Sequence, residues 1–293
     1  MTLEIVPVRA EHVPELARIC FEAFKDIQER HRFPVDIPDM EFARVMMDMF
    51  TGRPDIYGVA ALLDGKVVGS NFAQISDPVS GIGPITVDIS QQGRGIGRAL
   101  MQHIIDWSLR NHGPMVRLVQ EGFNMQSLSL YTSLGFTVVE PLALMEVRPG
   151  DRDDPTVRPL VLEDLLVCDN LCQRIVKVSR KNELAFMIKH GVTAGFVPHG
   201  RFVSGALVAY AIPGGLGHGV GESGEDLLAT VVHAVRHVPP HAHRLFMPVR
   251  NGGLFRQALK LGMRCLKPLA LMVLGPYDQP ASDGAAWTPS ITY

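Results

Sequence analysis

Six consecutive residues, Gln92-Gly93-Arg94-Gly95-Ile96-Gly97, have the composition of an anion-binding turn. They follow an apolar run, Ile82 to Ile89, that predicts a strand, and they precede an amphipathic run, Arg98 to Arg110, that predicts a helix. The first turn of a helix exposes unpaired N–H groups and the positive end of the helix dipole, and glycines let that backbone approach a phosphate. The glycine spacing fits neither the dinucleotide-binding fingerprint nor the Walker loop. The segment therefore predicts a backbone cradle for a phosphate or pyrophosphate.

A second segment, Asn124 to Phe136, reads N-M-Q-S-L-S-L-Y-T-S-L-G-F. This segment, and the glycine-rich turn with Val87-Asp88-Ile89 before it, resemble two motifs of the GNAT superfamily of N-acyltransferases. The motifs are commonly written V-x-P-x-x-[QR]-x-x-G-x-[GA] and N-x-x-A-x-x-L-Y-x-x-x-G-F. Ile89 stands where the family usually has proline, and Ser127 stands where it has alanine. The resemblance covers roughly Thr2 to Val147.

The resemblance implies acetyl-CoA as cosubstrate, with its pyrophosphate held by backbone N–H groups of the glycine-rich turn. Main-chain amides near Val87 and Ile89 are then expected to pair with the pantetheine arm and polarise the acetyl carbonyl. One such donor is worth ~10²–10³ in rate. The two arginines of the region add positive charge. The residues expected to contact acetyl-CoA are Val87, Ile89, Gln92, Gly93, Arg94, Gly95, Ile96, Gly97, Arg98, Asn124 and Tyr131.

Tyr131 is the expected general acid. It follows Asn124 by two helical turns, so both side chains can face the same thioester. A phenol titrates near ~10 and a thiol near ~8.5, so a neutral tyrosine can protonate a departing thiolate. The alternative for Tyr131 is an ordinary core aromatic. Asn124 has the residue type and position of a helix N-cap.

The base that deprotonates the acceptor amine is left open by the sequence. Asp88 lies on the strand beside the expected acyl group and is the first candidate for a catalytic base. Glu121, at the end of the neighbouring predicted strand, is the second. Strand alternation could direct either side chain away from the acceptor. Many GNAT enzymes are thought to deprotonate the amine through ordered water.

The predicted elements around these residues alternate between strands and helices. Helices over Glu11 to Arg30 and Met40 to Phe50 flank a proline-rich loop, residues 31–39, which in the GNAT fold covers the acceptor side. Asp64-Gly65 predicts a hairpin turn. The order predicts an α/β (α+β) fold with a mixed, mostly antiparallel twisted sheet flanked by helices.

The chain repeats at an offset of 127 residues, since Pro141 to Met145 recurs as Pro268 to Met272. We predict two GNAT-like domains, residues 1–148 and 156–275, followed by an extended tail over residues 276–293. In the second copy the turn becomes Gly219-Val220-Gly221-Glu222, with Glu225 and Asp226 after it. Acidic side chains at a helix start repel a pyrophosphate. The second domain is therefore predicted not to bind acetyl-CoA.

The charge composition of the chain excludes two classes of binding partner. A net charge of −2 and a pI near 6.6 give no general attraction for nucleic acid or anionic lipid, so neither a nucleic-acid nor a membrane partner is expected. Four scattered cysteines and the absence of a signal-like start predict a cytoplasmic protein. The group His233, His237, His241 and His243 favours a solvated helix end over a metal site, because no further ligand lies in register.

The combined prediction is an N-acetyltransferase that moves an acetyl group from acetyl-CoA to a primary amine, of a small molecule, by direct transfer. A protein lysine or N-terminal acetyltransferase is the alternative within the enzyme class. A module that senses acetyl-CoA without turnover is the alternative outside it, and the retained Tyr131 counts against this sensor. A homodimer is left open.

Overall fold

A computed structural model describes residues 2–151, 153–194, 196–214, 217–281, 283–291 and 293. Arg152, which lies between the two predicted domains, and Ser282 and Thr292 of the predicted tail are outside the described residues. The chain forms two compact units: residues up to Thr137 with Met272–Gly275 form the first, and Val138–Leu271 with the residues from Pro276 onward form the second. The predicted domains, 1–148 and 156–275, differ from these units at two short segments: residues 138–148 fall in the second unit, and Met272–Gly275 falls in the first. The domain bounds stay predictions.

The first unit contains six strands and four helices among its described residues. The strands are β1 (Leu3–Pro7), β2 (Ile56–Leu63), β3 (Lys66–Gln74), β4 (Ser80–Ile82), β5 (Thr86–Val87) and β6 (Val116–Glu121). The helices are α1 (Val13–Arg30), α2 (Met40–Gly52), α3 (Ile96–Asn111) and α4 (Met125–Ser133).

The sheet of the first unit is mostly antiparallel. β2 pairs with β1 and with β3, the latter around the predicted Asp64-Gly65 turn. β3 pairs with both β4 and β5, whereas the sequence predicts one continuous strand over Ile82 to Ile89. Pro84 interrupts that strand because it has no N–H to give to a ladder. β4 pairs with β6 in parallel at Ser80–Val116 and Gly81–Arg117.

Helices cover both faces of this sheet. Successive residues of a strand point to opposite faces, and Val59 and Ala61 of β2 pack in one core cluster while Ala60 packs in another. The first cluster contains the buried face of α3, including Leu100 and Ile104, together with Met272. The second contains the buried faces of α1 and α2. The glycine-rich turn is thereby held between a sheet and a helix that share one core.

Eight strands and four helices lie wholly or mostly in the second unit, counted among its described residues. The strands are β7 (Thr137–Glu146), β8 (Val157–Pro159), β9 (His199–Val203), β10 (Ala206–Ala211), β11 (Gly219–Gly221), β12 (Arg244–Pro248), β13 (Arg264–Leu274) and β14 (Ala286–Thr288). β7 starts at the last residue of the first unit, and β13 ends within it. The helices are α5 (Leu165–Val176), α6 (Lys181–Ala194), α7 (Gly224–Ala234) and α8 (Gly252–Lys260).

Pairing in the second unit is antiparallel in both of its described sheet regions. One follows the order β8-β9-β10-β11-β14, and the other pairs β7 with β12. All three residues of β14 are buried, so the part of the predicted tail around Trp287 is a packed strand. The predicted class, α/β (α+β) with mostly antiparallel sheets flanked by helices, is confirmed. Among the described residues no helix combines the length and the apolar character that a bilayer crossing requires.

The two units share an order of elements. The first runs β1-α1-α2-β2-β3-β4, then α3-β6-α4, and the second runs β8-α5-α6-β9-β10-β11, then α7-β12-α8. Asn124 caps α4 by accepting from the Ser127 N–H at 3.1 Å, and Asn251 caps α8 by accepting from the Leu254 N–H at 3.0 Å. The common order supports a duplication, which stays a prediction.

Candidate functional site

The glycine-rich turn leaves the N-terminus of α3 open. Gly93 and Gly95 have φ values of +77° and +82°, a left-handed conformation that favours glycine. Gly95 directly precedes α3, and no described side chain caps the helix there. A Cβ atom added at either glycine would meet nothing within 4 Å. The first-turn N–H groups of this 16-residue helix therefore face space that an anion can enter.

The residues of the turn differ in what they offer to a ligand. Gln92, Arg94 and Arg98 have exposed side chains. Ile96, in contrast, is 2% exposed and packs in the core beneath α3, so only its backbone is available to a ligand. Ile89, expected to supply a main-chain amide, begins a short 3-10 turn that runs to Gln91.

One edge of β5 faces away from β3. The Asp88 N–H donates to the Val68 carbonyl on β3 at 2.9 Å, and backbone groups of alternate residues in a strand point to opposite sides. The N–H of Val87 is therefore directed to the other edge, where the Val87 carbonyl accepts from the Gln92 side chain at 3.2 Å. This places the Val87 amide where an extended polar ligand can pair with it.

Asp88 is occupied by partners within the first unit. Its carboxylate accepts from the Ser90 hydroxyl at 2.6 Å and from the Ser90 N–H at 2.9 Å, and Arg18 on α1 donates to it at 2.7 Å. These contacts, the Ser90 hydroxyl first, lower the pKa of Asp88. A carboxylate with a lowered pKa is a weak base, so this environment favours a structural role in which Asp88 anchors the turn to α1.

Arg18 was not among the residues singled out in the sequence. It forms hydrogen bonds with Glu15, Glu22 and Asp88, and the Glu15 and Asp88 contacts raise its pKa. The Arg18 side chain is 35% exposed, so water screens these ion pairs. Its distinctive contact is Asp88, which lies 70 residues away in sequence.

Tyr131 lies on α4 and is buried, with 6% of its surface exposed. Burial raises its pKa to about 12, and a hydrogen bond with the Ser127 side chain acts in the opposite direction. The Phe136 ring lies 6.3 Å from the Tyr131 ring, centroid to centroid. The phenol is therefore neutral at pH 7 and keeps a proton that it can donate. The cap expected at Asn124 is confirmed.

Two contacts bring α4 to the start of α3. Arg98 donates to the Ser133 hydroxyl at 2.7 Å. A Cβ atom at Gly97 would lie 3.6 Å from Leu130 and 3.9 Å from Val87. The strand edge, the open helix start and the helix that carries Tyr131 thus meet at Gly97.

A polar cluster lies between α1, the loop after it and the end of β6. The Gln28 side-chain amide donates to Glu121 at 2.8 Å and to Asp36 at 2.7 Å, and its carbonyl accepts from the Asp36 N–H at 2.9 Å. Gln28 is completely buried. The buried amide therefore fixes two carboxylates from distant parts of the sequence beside each other.

Aromatic rings adjoin this cluster. Phe33 stacks on Phe123 with centroids 4.4 Å apart and planes 20° apart, and His31 lies 5.1 Å from Phe123. Phe123 lies two residues after Glu121, and His31 and Phe33 belong to the same loop as Asp36. Gln28 was missed in the sequence, although it continues the apolar helical positions Cys20 and Phe24 at a spacing of four. A polar residue at such a position was the available signal.

The corresponding helix start in the second unit is closed. Ser223 caps α7, accepting from the Asp226 N–H at 3.1 Å, and its hydroxyl donates to the Asp226 carboxylate at 2.6 Å. Arg201 lies 3.1 Å from Asp226, and Glu222 pairs with Arg174 at 2.8 Å. The Ser223 oxygen therefore bonds a first-turn N–H of the kind left open before α3, and both carboxylates are paired with arginines.

Comparison with known proteins identifies the segment that carries the open turn. Residues 18–136 match the Acetyltransferase (GNAT) family model. The first unit therefore resembles a GNAT acetyltransferase domain over the matched residues. The matched range includes the glycine-rich turn, Asn124 and Tyr131, on which the predicted family resemblance rests.

Curated relatives match only a short part of the chain. A mycothiol acetyltransferase from Tsukamurella paurometabola is 34% identical over 77 residues, which are 25% of this chain and 26% of that protein. A mycothiol acetyltransferase from Beutenbergia cavernae is 40% identical over 78 residues, 26% of each chain. The chain thus aligns with about a quarter of the length of these relatives.

Solved structures show the fold over nearly the whole chain. A Pyrococcus horikoshii protein assigned as an acetyltransferase aligns with a TM-score of 0.74 at 16% identity, covering 97% of this chain and 92% of that one. A GCN5-related N-acetyltransferase from Sphaerobacter thermophilus aligns with a TM-score of 0.63 at 15% identity, covering 94% and 97%. The fold of both units is therefore one already seen in GNAT proteins.

Proposed function

We propose that the GNAT domain transfers an acetyl group from acetyl-CoA to the primary amine of a small molecule, by direct attack without an acyl-enzyme. The observation that carries this proposal is the uncapped start of α3 at Gly95, beside the free edge of β5 at Val87. The residues fit the cosubstrate because the turn offers backbone donors and no side chain fills the space at Gly93 or Gly95.

In this proposal the N–H groups of the turn hold the pyrophosphate, with Arg94 and Arg98 adding positive charge. The Val87 N–H stabilises the oxygen of the tetrahedral intermediate, where charge develops. Tyr131 donates its phenolic proton to the sulfur as the thiolate departs. Its pKa of about 12 keeps the proton on the phenol at neutral pH, so the proton is available to the sulfur as the C–S bond breaks.

The acceptor amine is proposed to bind at the cluster formed by Gln28, Asp36 and Glu121. Two carboxylates held by one buried amide attract a cation, and the stacked pair Phe33 and Phe123 offers an apolar wall. Because the matched relatives are named mycothiol acetyltransferases, we favour a small-molecule acceptor. Asp88 is not proposed as the base, since its partners lower its pKa. Ordered water takes the proton.

We further propose that the second unit is a degenerate copy that does not bind acetyl-CoA. The Ser223 cap supports this proposal, because the Asp226 N–H that a pyrophosphate would use already donates within the chain. The carboxylates of Glu222 and Asp226 hold the nearby arginines in ion pairs, so neither arginine is left over for a phosphate.

A titration tests both proposals. Calorimetric titration of acetyl-CoA into the full chain is expected to give one site per chain, and thiol release is expected with some member of a panel of small amines. Two sites per chain would contradict the silent second unit. Binding with turnover only on peptides would replace the small-molecule acceptor with a protein, and binding without turnover on any amine would favour a sensor.

Exchange of Glu121 for glutamine tests the acceptor cluster. Glu121→Gln removes one negative charge while keeping a side chain that can reach Gln28, so we expect KM for the amine to rise roughly 10- to 100-fold, as for a lost charge-assisted hydrogen bond. Acetyl-CoA affinity is expected to stay unchanged. Glu29→Gln, on the exposed side of α1 beside Lys25, is the matched control. An equal KM in Glu121→Gln and Glu29→Gln would remove the cluster from acceptor binding.

A further inference from the structure

Three histidines converge in the second unit, whereas the residues assigned to acetyl transfer belong to the first. His233 lies on α7, His237 lies at the end of the short 3-10 turn that follows α7, and His199 begins β9. One ring nitrogen of each lies within 4.8 Å of one ring nitrogen of both others. His233 and His237 are four residues apart, the spacing that places two imidazoles on one helical face.

The third histidine, His199, could not be assigned to this group from its spacing in the sequence. His199 precedes the helical pair by more than 30 residues, and the fold of the unit returns it to them. The ring centroids of His199 lie 5.7 Å from those of His233 and 5.3 Å from those of His237. The sequence favoured a solvated helix end over a metal site because no further ligand lies in register with His233 and His237. In the folded chain His199 supplies a third imidazole beside them.

The tautomer of His199 is one that can bind a metal ion. Its Nδ1 lies 2.8 Å from the Val197 carbonyl oxygen, which can only accept, so Nδ1 carries the proton and Nε2 keeps its lone pair. Histidines that bind metals commonly donate their second ring N–H to a backbone carbonyl in this way, which fixes the orientation of the ring. The contact is thus a second observation that points toward a ligand for Nε2.

We propose that His199, His233 and His237 bind a divalent transition metal of the zinc class. Imidazole nitrogens suit zinc, copper and nickel, and they are poor ligands for magnesium or calcium. Three protein ligands leave a fourth position for water or another small ligand. His199 and His233 are buried while His237 is exposed, so the side of His237 gives the ion a route of entry.

The bound ion would connect β9 to the end of α7. Zinc–nitrogen distances of about 2.0–2.1 Å bring tetrahedral ligand nitrogens to about 3.3 Å from one another, so the rings draw together on binding. His237 ends a three-residue turn and can supply this movement. The expected consequence is a metal-dependent rise in the melting temperature of the full chain.

Metal uptake by the full chain, freed of any histidine tag and stripped with a chelator, tests the proposal. Titration with zinc chloride is expected to reach one equivalent per chain with micromolar or tighter affinity, and cobalt(II) is expected to develop visible absorption typical of a site with nitrogen ligands. His199→Ala and His237→Ala are expected to weaken zinc binding at least tenfold. Zinc is expected to raise the melting temperature of the unsubstituted chain and not that of His237→Ala.

His243→Ala is the matched control, because His243 belongs to the same unit and its Nε2 contacts the Val238 carbonyl at 3.1 Å. It is expected to bind zinc as the unsubstituted chain does. His237→Ala keeps the test decisive if His199→Ala fails to fold, since His237 is exposed. Absence of stoichiometric uptake, or uptake unchanged in a folded His237→Ala protein, would overturn the proposal.

Discussion

Exchange of Gly95 for glutamate is expected to abolish acetyl-CoA binding. The new carboxylate would lie at the start of α3, where the open N–H groups are proposed to hold the pyrophosphate. Two unit charges about 4 Å apart near a protein surface repel by about 4 kcal/mol, or roughly a thousandfold in affinity. The change also reproduces, in the first unit, the acidic character that Glu222 and Asp226 give to the second. Calorimetric titration of acetyl-CoA measures the effect.

The backbone at Gly95 requires a control, because its φ of +82° strains any residue with a Cβ atom. Gly65 has a φ of +80° in the β2–β3 turn, and a Cβ added there also meets nothing within 4 Å. Gly65→Glu therefore imposes a comparable strain and the same charge away from α3. It is expected to bind acetyl-CoA normally. Retained affinity in Gly95→Glu, or equal loss in both variants, would contradict the cradle.

Tyr131→Phe is expected to reduce turnover by ~10²–10⁴-fold with little change in acetyl-CoA affinity. Phenylalanine keeps the ring that packs near Phe136 and removes only the hydroxyl. Without the phenolic proton the thiolate must leave unprotonated or take a proton from water. Steady-state thiol release gives kcat, and calorimetry gives the dissociation constant of acetyl-CoA.

Tyr57 supplies the matched control for the loss of a hydroxyl. It lies on β2, its ring stacks on Trp107 at 3.9 Å, and its hydroxyl lies 3.1 Å from His103 Nε2. Tyr57→Phe is expected to leave kcat unchanged. If Tyr131→Phe also keeps its kcat, the proton for the thiolate comes from another source, and Tyr131 has the role of a core aromatic.

Local patterns predicted the parts of the site that local backbone geometry determines. The turn over Gln92 to Gly97 and the cap at Asn124 depend on residues within a few positions of one another, so their spacing was sufficient. The interruption at Pro84 was missed because an apolar run on both sides of it resembles one strand. The signal was present, since proline cannot donate to a ladder.

Contacts between distant residues could not be predicted in the same way. Gln28 reaches Glu121 across 93 residues, and Arg18 reaches Asp88 across 70. Nothing in the spacing of these residues specifies the pairing, because it depends on how α1 packs beside the sheet. Asp88 therefore resembled a free base in the sequence, while the folded chain supplies it with a cation. His199 is hidden for the same reason.

Completion of the first unit depends on a segment that is synthesised more than 130 residues after the rest of that unit. Met272 is fully buried in the core that contains Leu100 and Ile104, and Met272–Gly275 belongs to the first unit. A nascent chain released at Thr137 would lack this piece of its own core. The first unit is therefore expected to complete its core only after residue 275 has left the ribosome, although most of its residues are synthesised much earlier.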